Sequence, residues 1–232
     1  MANITRVPKM GKLGVSPTNS QKLQYIASKL GLSGIKDMQG STLTIFDTVL
    51  LATGTGRQTL NFFSQTSNKS RNFSNFQTGV LNAGEAMIVE EVSFIAVTLT
   101  NSDLTSDANA ILDAVPIQAI PNTIVPNQAA LTTGMINITI ANSKVQKDVS
   151  TFEIDPTFNP RTTGITVADT ATATLVRLGE SKVYLEAPPV LPPNQKIVLS
   201  YEFGPTGTVA ANVAIMCVLG RFGSIFSAKT NL

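Results

Sequence analysis

The side chains able to do chemistry in this chain are few, and the most versatile of them is absent. Among 232 residues there is no histidine and one cysteine. Lack of histidine removes Ser-His-Asp and Cys-His nucleophile systems, the usual general acid–base at neutral pH, and every imidazole metal ligand. Cys217 lies within "VAIMCVLG", apolar on both sides, so it reads as a buried, inert thiol that has no partner for an internal disulfide. Synthesis in a reducing cytoplasm fits that cysteine usage. What remains is carboxylate and amine chemistry, and each cluster of it has a plainer explanation.

Asp103, Asp107 and Asp113 hint at calcium, yet their spacing lacks the dense oxygen ligands of an EF-hand loop; they read as solvated carboxylates. Glu90 and Glu91 are adjacent, which in a strand sends them to opposite faces. A glycosidase needs two carboxyls converging within about 5 to 10 Å, and no catalytic pair stands out. In "ATGTGRQ" Gly54 and Gly56 suggest a phosphate loop, but the Gly-Lys-Ser/Thr ending is missing and no helix is expected next, so a hairpin turn is expected. Phe62, Phe63, Phe73 and Phe76 flank Lys69 and Arg71, an arrangement single-stranded nucleic-acid binders use. The favoured reading is core phenylalanines bracketing a polar loop. No cofactor or metal site is expected, and the chain is not expected to be an enzyme.

Charge supplies the strongest non-catalytic signal. Only 14% of residues are charged, against roughly 25% in an average soluble domain. Arg6, Lys9, Lys12, Lys22, Lys29 and Lys36 give the first 36 residues a charge of +6 with no acidic residue. The remainder, with 11 basic and 15 acidic residues, is −4. Such an arm suits contact with an acidic neighbouring subunit. The competing partner is nucleic acid, for which six phosphate contacts would cost roughly a thousandfold in affinity between 50 and 200 mM salt.

The elements that must position these groups are mostly strands. Within the arm, "TNSQKLQYIASKLG" predicts one short amphipathic helix, capped by Asn19 or Ser20, with Leu23, Ile26 and Leu30 on one face and Gly31 at its end. Three turns are marginal alone, so that face must dock on the body or on a neighbour. From about residue 41 the pattern is β, with strands expected at 58–63, 85–100, 134–141, 149–154, 171–177, 182–187, 195–203 and 208–220. In "MINITIA" Ile136, Ile138 and Ile140 share one face. "SDANAILDAV" (106–115) alone invites a second helix. Pro116, Pro121 and Pro126 recur every fifth residue, with Ile117, Ile120 and Ile124 between them, and predict a long surface loop packing onto a partner. No stretch reaches 18 apolar residues, so no membrane-spanning helix is expected.

Two lead-ins resemble each other: "VLNAGEAMIVEEVSF" from Val80 and "VLPPNQKIVLSYEF" from Val190. In each, a tight turn feeds a strand, with Gly84 or Asn194 suited to positive φ. Such repetition suits long strands facing each other in two sheets; an internal duplication is the rival explanation, though no other repeated register surrounds the two sites. The expected fold is all-β, an antiparallel jelly-roll β-sandwich over 41–232, with an extended N-terminal arm (1–40) carrying the helix.

Over 59–97, "TLNFFSQTSNKSRNFSNFQTGVLNAGEAMIVEEVSFIAV", the chain resembles jelly-roll capsid-associated structural proteins of bacteriophages, of the crAss-like and lipid-containing types; "LPPNQKIVLSYEF" is a second, weaker match. The resemblance implies a virion structural protein, a capsid or auxiliary capsid subunit in contact with other capsid subunits as a homo-oligomer. The alternative is a carbohydrate-binding head-fibre or adhesin module, against which stand the absence of Trp and the presence of three Tyr. A carboxylate hydrolase ranks last.

Overall fold

A computed structural model describes residues 19–41, 44–53, 56–116, 134–150, 163–166, 172–175, 182–184, 189–206, 209–220 and 225–228. Helix α1 (Asn19–Lys29) and a 3-10 turn (Ile35–Asp37) precede β1 (Met38–Ser41), β2 (Ile45–Leu50) and β3 (Gly56–Phe62). Next come β4 (Glu85–Ile88), β5 (Glu91–Leu99), β6 (Ile111–Pro116), β7 (Met135–Ile140) and β8 (Ser143–Ser150). The chain continues through β9 (Thr163–Thr166), β10 (Thr172–Leu175), β11 (Lys182–Tyr184) and β12 (Val190–Leu191). It closes with β13 (Ile197–Thr206), β14 (Val213–Leu219) and β15 (Ile225–Ala228).

Two antiparallel sheets carry the fold, one ordered β11-β5-β14-β2 and the other β3-β13-β7-β8. Taking these eight strands in chain order, the first, eighth, third and sixth share one sheet, and the second, seventh, fourth and fifth share the other. That interleaving is the connectivity of a jelly roll. The hairpin β9–β10 and the extra strand β6, which pairs with β5, are insertions on this frame. A smaller sheet, β1-β15-β4-β12, gathers strands from both ends of the chain and from two connections.

Alternation explains the packing. Val92, Phe94 and Ala96 on β5 and Val213, Ile215, Cys217 and Leu219 on β14 point inward. They meet Leu60 and Phe62 of β3, Ile136, Ile138 and Ile140 of β7, and Ile197, Leu199, Tyr201 and Phe203 of β13. Aromatic rings bridge the layers: Phe94 stacks on Tyr201 at 4.7 Å and lies 5.9 Å from Phe62. The three isoleucines of "MINITI" are all buried, as their spacing predicts.

Helix α1 forms where expected, and Gly31 follows it at φ +70°. Its apolar face docks on the chain's own small sheet. Ile26 and Ala27 are buried with Met38 of β1 and with Ala86 and Ile88 of β4, while Leu23 and Leu30 pack around them. Consequently β4 is covered on both sides, because Met87 between those two residues faces the main core.

The two look-alike lead-ins turn out to be neighbours. Gly84 has φ +88° and Asn194 φ +58°, the left-handed conformation both residues were expected to take. Val80 bridges Lys196, the Asn194 amide donates to the Leu81 carbonyl, and β12 pairs with β4 through Val190–Ile88 and Leu191–Met87. The repeated lead-in therefore serves one seam, where both turns enter their strands side by side.

Three expectations are corrected. The long strand expected at 85–100 is two strands in different sheets, and Val89 and Glu90 form the joint between them. Segment 106–115 is not a helix: Asn109 ties the preceding loop together, its amide donating to the carbonyls of Asn101 (3.0 Å) and Asp103 (2.7 Å). Residues 111–116 then pair with β5, since side-chain bonds of this kind compete with helix formation. Finally, "ATGTGRQ" is no hairpin, because β2 and β3 belong to facing sheets; Gln58 pins this crossing by bonding both the amide and the carbonyl of Ala52.

Candidate interaction surfaces

The most ordered polar constellation lies under the loop 63–79, and it was not expected from the sequence. Asp47 occupies an inward position of β2 and is fully buried, opposite Cys217 on β14. Its Oδ2 accepts from the Phe63 amide at 2.7 Å, and its Oδ1 accepts from Lys69 Nζ at 2.7 Å. Lys69 also donates to the Thr48 carbonyl at 2.6 Å. Ser74 bridges backbone-to-backbone with Asp47, and Asn75 bonds the Phe46 amide and the Thr44 carbonyl, so the loop extends the ladder of β2 through a side chain. Burial pushes the Asp47 carboxyl above its ordinary range, with the Lys69 ammonium pulling the other way. Burial, reinforced by Asp47, pushes the Cys217 thiol up as well, which fits an unreactive cysteine.

This arrangement is a latch. Phe62, Phe63, Phe73 and Phe76 are all buried, and Lys69 is committed to an internal ion pair, leaving Arg71 exposed at the loop surface. No stacking platform is offered to bases by those four rings. A charged residue inside the apolar run "TIFDTVLL", with a lysine in the following loop, was the available signal for the latch.

Several other described carboxylates have partners of their own. Asp103 accepts from the amide and hydroxyl of Thr105, which lowers its pKa, and Asp113 accepts from the Ala114 amide. Glu90 pairs with Lys22 at 3.4 Å. Among the described residues no group of three or more Cys, Asp or Glu side chains converges as a metal would require, and no helix is long and apolar enough to cross a membrane.

The residues expected to meet partners divide into those placed and those not. Lys22 reaches the chain's own Glu90, Lys29 Nζ sits 5.2 Å above the Tyr25 ring, and Lys36 is exposed in the 3-10 turn. Arg6, Lys9 and Lys12 lie outside the described residues. Of the proline-rich loop, Pro116 ends β6 opposite Ile95; Ile117, Ile120, Pro121, Ile124 and Pro126 lie outside the described residues.

At the two ends of that loop the described chain carries exposed apolar side chains. Ile111 is 38% and Leu112 65% exposed on β6, and Met135, at the start of β7, is 42% exposed. All four described side chains from Ile111 to Ala114 face solvent. Comparison with known protein families, with characterised proteins and with solved structures returns no match.

Proposed function

We propose that this chain is a structural subunit of a bacteriophage virion, a capsid or auxiliary capsid protein made in the host cytoplasm and working through subunit–subunit contacts. The observation that carries the reading is the complete eight-strand jelly-roll order, an architecture that recurs in viral shells. Because a fold hosts many functions, the surface has to supply the rest. It is poor in charge and leaves Ile111 and Leu112 exposed on the strand β6. The local resemblance over 59–97 spans most of β3, the latch loop, β4 and most of β5.

The carbohydrate-binding alternative has less support. Sugar sites favour exposed aromatic platforms, whereas Tyr201 is buried in the core and Tyr25 is half-buried beneath Lys29. Binding of the purified chain to glycans but not to phage shells would favour that alternative. The primary test is incubation of tagged protein with purified phage shells, followed by sedimentation: co-sedimentation at a fixed stoichiometry is expected, and none would contradict the proposal.

A further inference from the structure

The strand β6 is an anomaly that core packing does not explain. It pairs with β5 alone among the described residues, and its register slips between Thr98–Asp113 and Leu99–Ile111, so Leu112 is the bulged residue. Bulges at sheet edges re-aim side chains and interrupt regular strand addition. Here the residue aimed outward is leucine, 65% exposed, next to the exposed Ile111. A polar residue would sit there at no cost, whereas an apolar one favours a cover.

Charge indicates what covers it. No Lys or Arg occurs between Arg71 and Lys144, a stretch holding Glu85, Glu90, Glu91, Asp103, Asp107 and Asp113. The last three sit on β6 and on the loop feeding it; all are exposed, and none forms an ion pair among the described residues. The surface is thus apolar and acidic. One segment of the chain has the opposite character: residues 1–18 carry Arg6, Lys9 and Lys12, no acidic residue, and the apolar Ile4, Val7, Met10, Leu13 and Val15. Extended, 18 residues reach about 60 Å, some three times the roughly 20 Å of a six-residue strand, so the segment is long enough to run the whole of β6.

We infer that residues 1–18 of a second copy lie along β6, with apolar side chains over Leu112 and Ile111 and Arg6, Lys9 and Lys12 beside Asp103, Asp107 and Asp113. This rests on the assembly reading above and names its contact. The bulge disfavours a plain β6–β6 pairing between copies, because it breaks the ladder such pairing would extend. The contact is made by side chains, apolar ones over Leu112 and Ile111 and cations beside the carboxylates, rather than by extending the β5–β6 ladder.

The test uses the full chain with a photo-reactive amino acid at position 112, prepared as a mixture of isotope-labelled and unlabelled copies. Irradiation is expected to join β6 to peptides from residues 1–18 in mixed-label pairs. The yield should fall about tenfold in the Asp107→Lys, Asp113→Lys double variant, as reversing two exposed charge contacts implies. It should also fall between 0.1 and 1 M salt as the screening length shrinks from about 10 to 3 Å. Same-label pairs alone would assign the site to the chain's own arm and overturn the inference. Oligomers in light scattering whose position 112 joins another segment, or none, would overturn it while leaving assembly intact; a monomer throughout would overturn both.

Discussion

At the scale of single residues, Asp47 and Lys69 decide how the loop 63–79 is held. A buried ion pair is weak evidence of net stabilisation, but breaking it leaves an uncompensated charge in the interior. Lys69→Met is therefore expected to lower unfolding free energy by about 3–5 kcal/mol, read by urea denaturation. The pH dependence has a definite sign. Burial raises the Asp47 pKa in the folded protein above the ordinary 3.8, so the native state holds that proton more tightly than the unfolded chain does. Stability from this group accordingly falls as pH rises from 3.8 through the folded value. Removing Lys69 strips away the main opposing influence and deepens that loss. The deficit of Lys69→Met should be smaller at pH 4 than at pH 7; equal deficits would mean that Asp47 is not the affected group. Gly134 offers a steric counterpart. A Cβ there would overlap Tyr201 Cε2 and lie 2.9 Å from the Glu202 carbonyl oxygen, so Gly134→Ala should cost about 1–3 kcal/mol by overpacking, measured in the same assay.

At the scale of elements, helix α1 owes its existence to a surface that the small sheet provides. Ile26→Ala removes a fully buried side chain from the helix–sheet contact and should cost about 2–5 kcal/mol, with amide exchange in α1 accelerating before that of β5 and β14. The turns make a second case. Asn194→Gly should change stability by no more than a few tenths of a kcal/mol, while Gly84→Val forces a β-branched residue to φ +88° and should cost roughly 1–2 kcal/mol; thermal unfolding of the pair distinguishes them. These elements were also the most legible ones. Helix α1, "MINITI" and both positive-φ turns are local patterns, visible because periodicity and turn chemistry act within a few residues. The split of 85–100 was not legible, since an apolar run looks the same whether one sheet or two receive it. Segment 106–115 misled for a related reason: its composition suits a helix, but Asn109 and pairing with β5 decide its conformation. The latch was half legible: Asp47 inside the apolar run "TIFDTVLL" marks a buried charge, but its partner Lys69 lies 22 residues on in a polar loop, and only the fold brings the two together.

At the scale of the whole molecule, the jelly-roll frame separates two kinds of surface. One is sealed by the chain itself: the helix covers the small sheet, and Phe73 of the latch loop with Leu104 covers the outer face of β5 and β14. The other, along β6, is apolar, acidic and uncovered among the described residues. This division also fixes where the arm is to be cut, because α1 and β1 pack on β4 and β15 and their loss would expose that cluster. The measurement bearing most directly on the account is the mass of the full-length chain in solution, by light scattering across a range of concentrations, in parallel with a chain lacking residues 1–18. A concentration-dependent oligomer is expected, which the truncation reduces to monomer with its circular dichroism unchanged. A full-length chain that stays monomeric at every concentration and leaves phage shells unbound would contradict it.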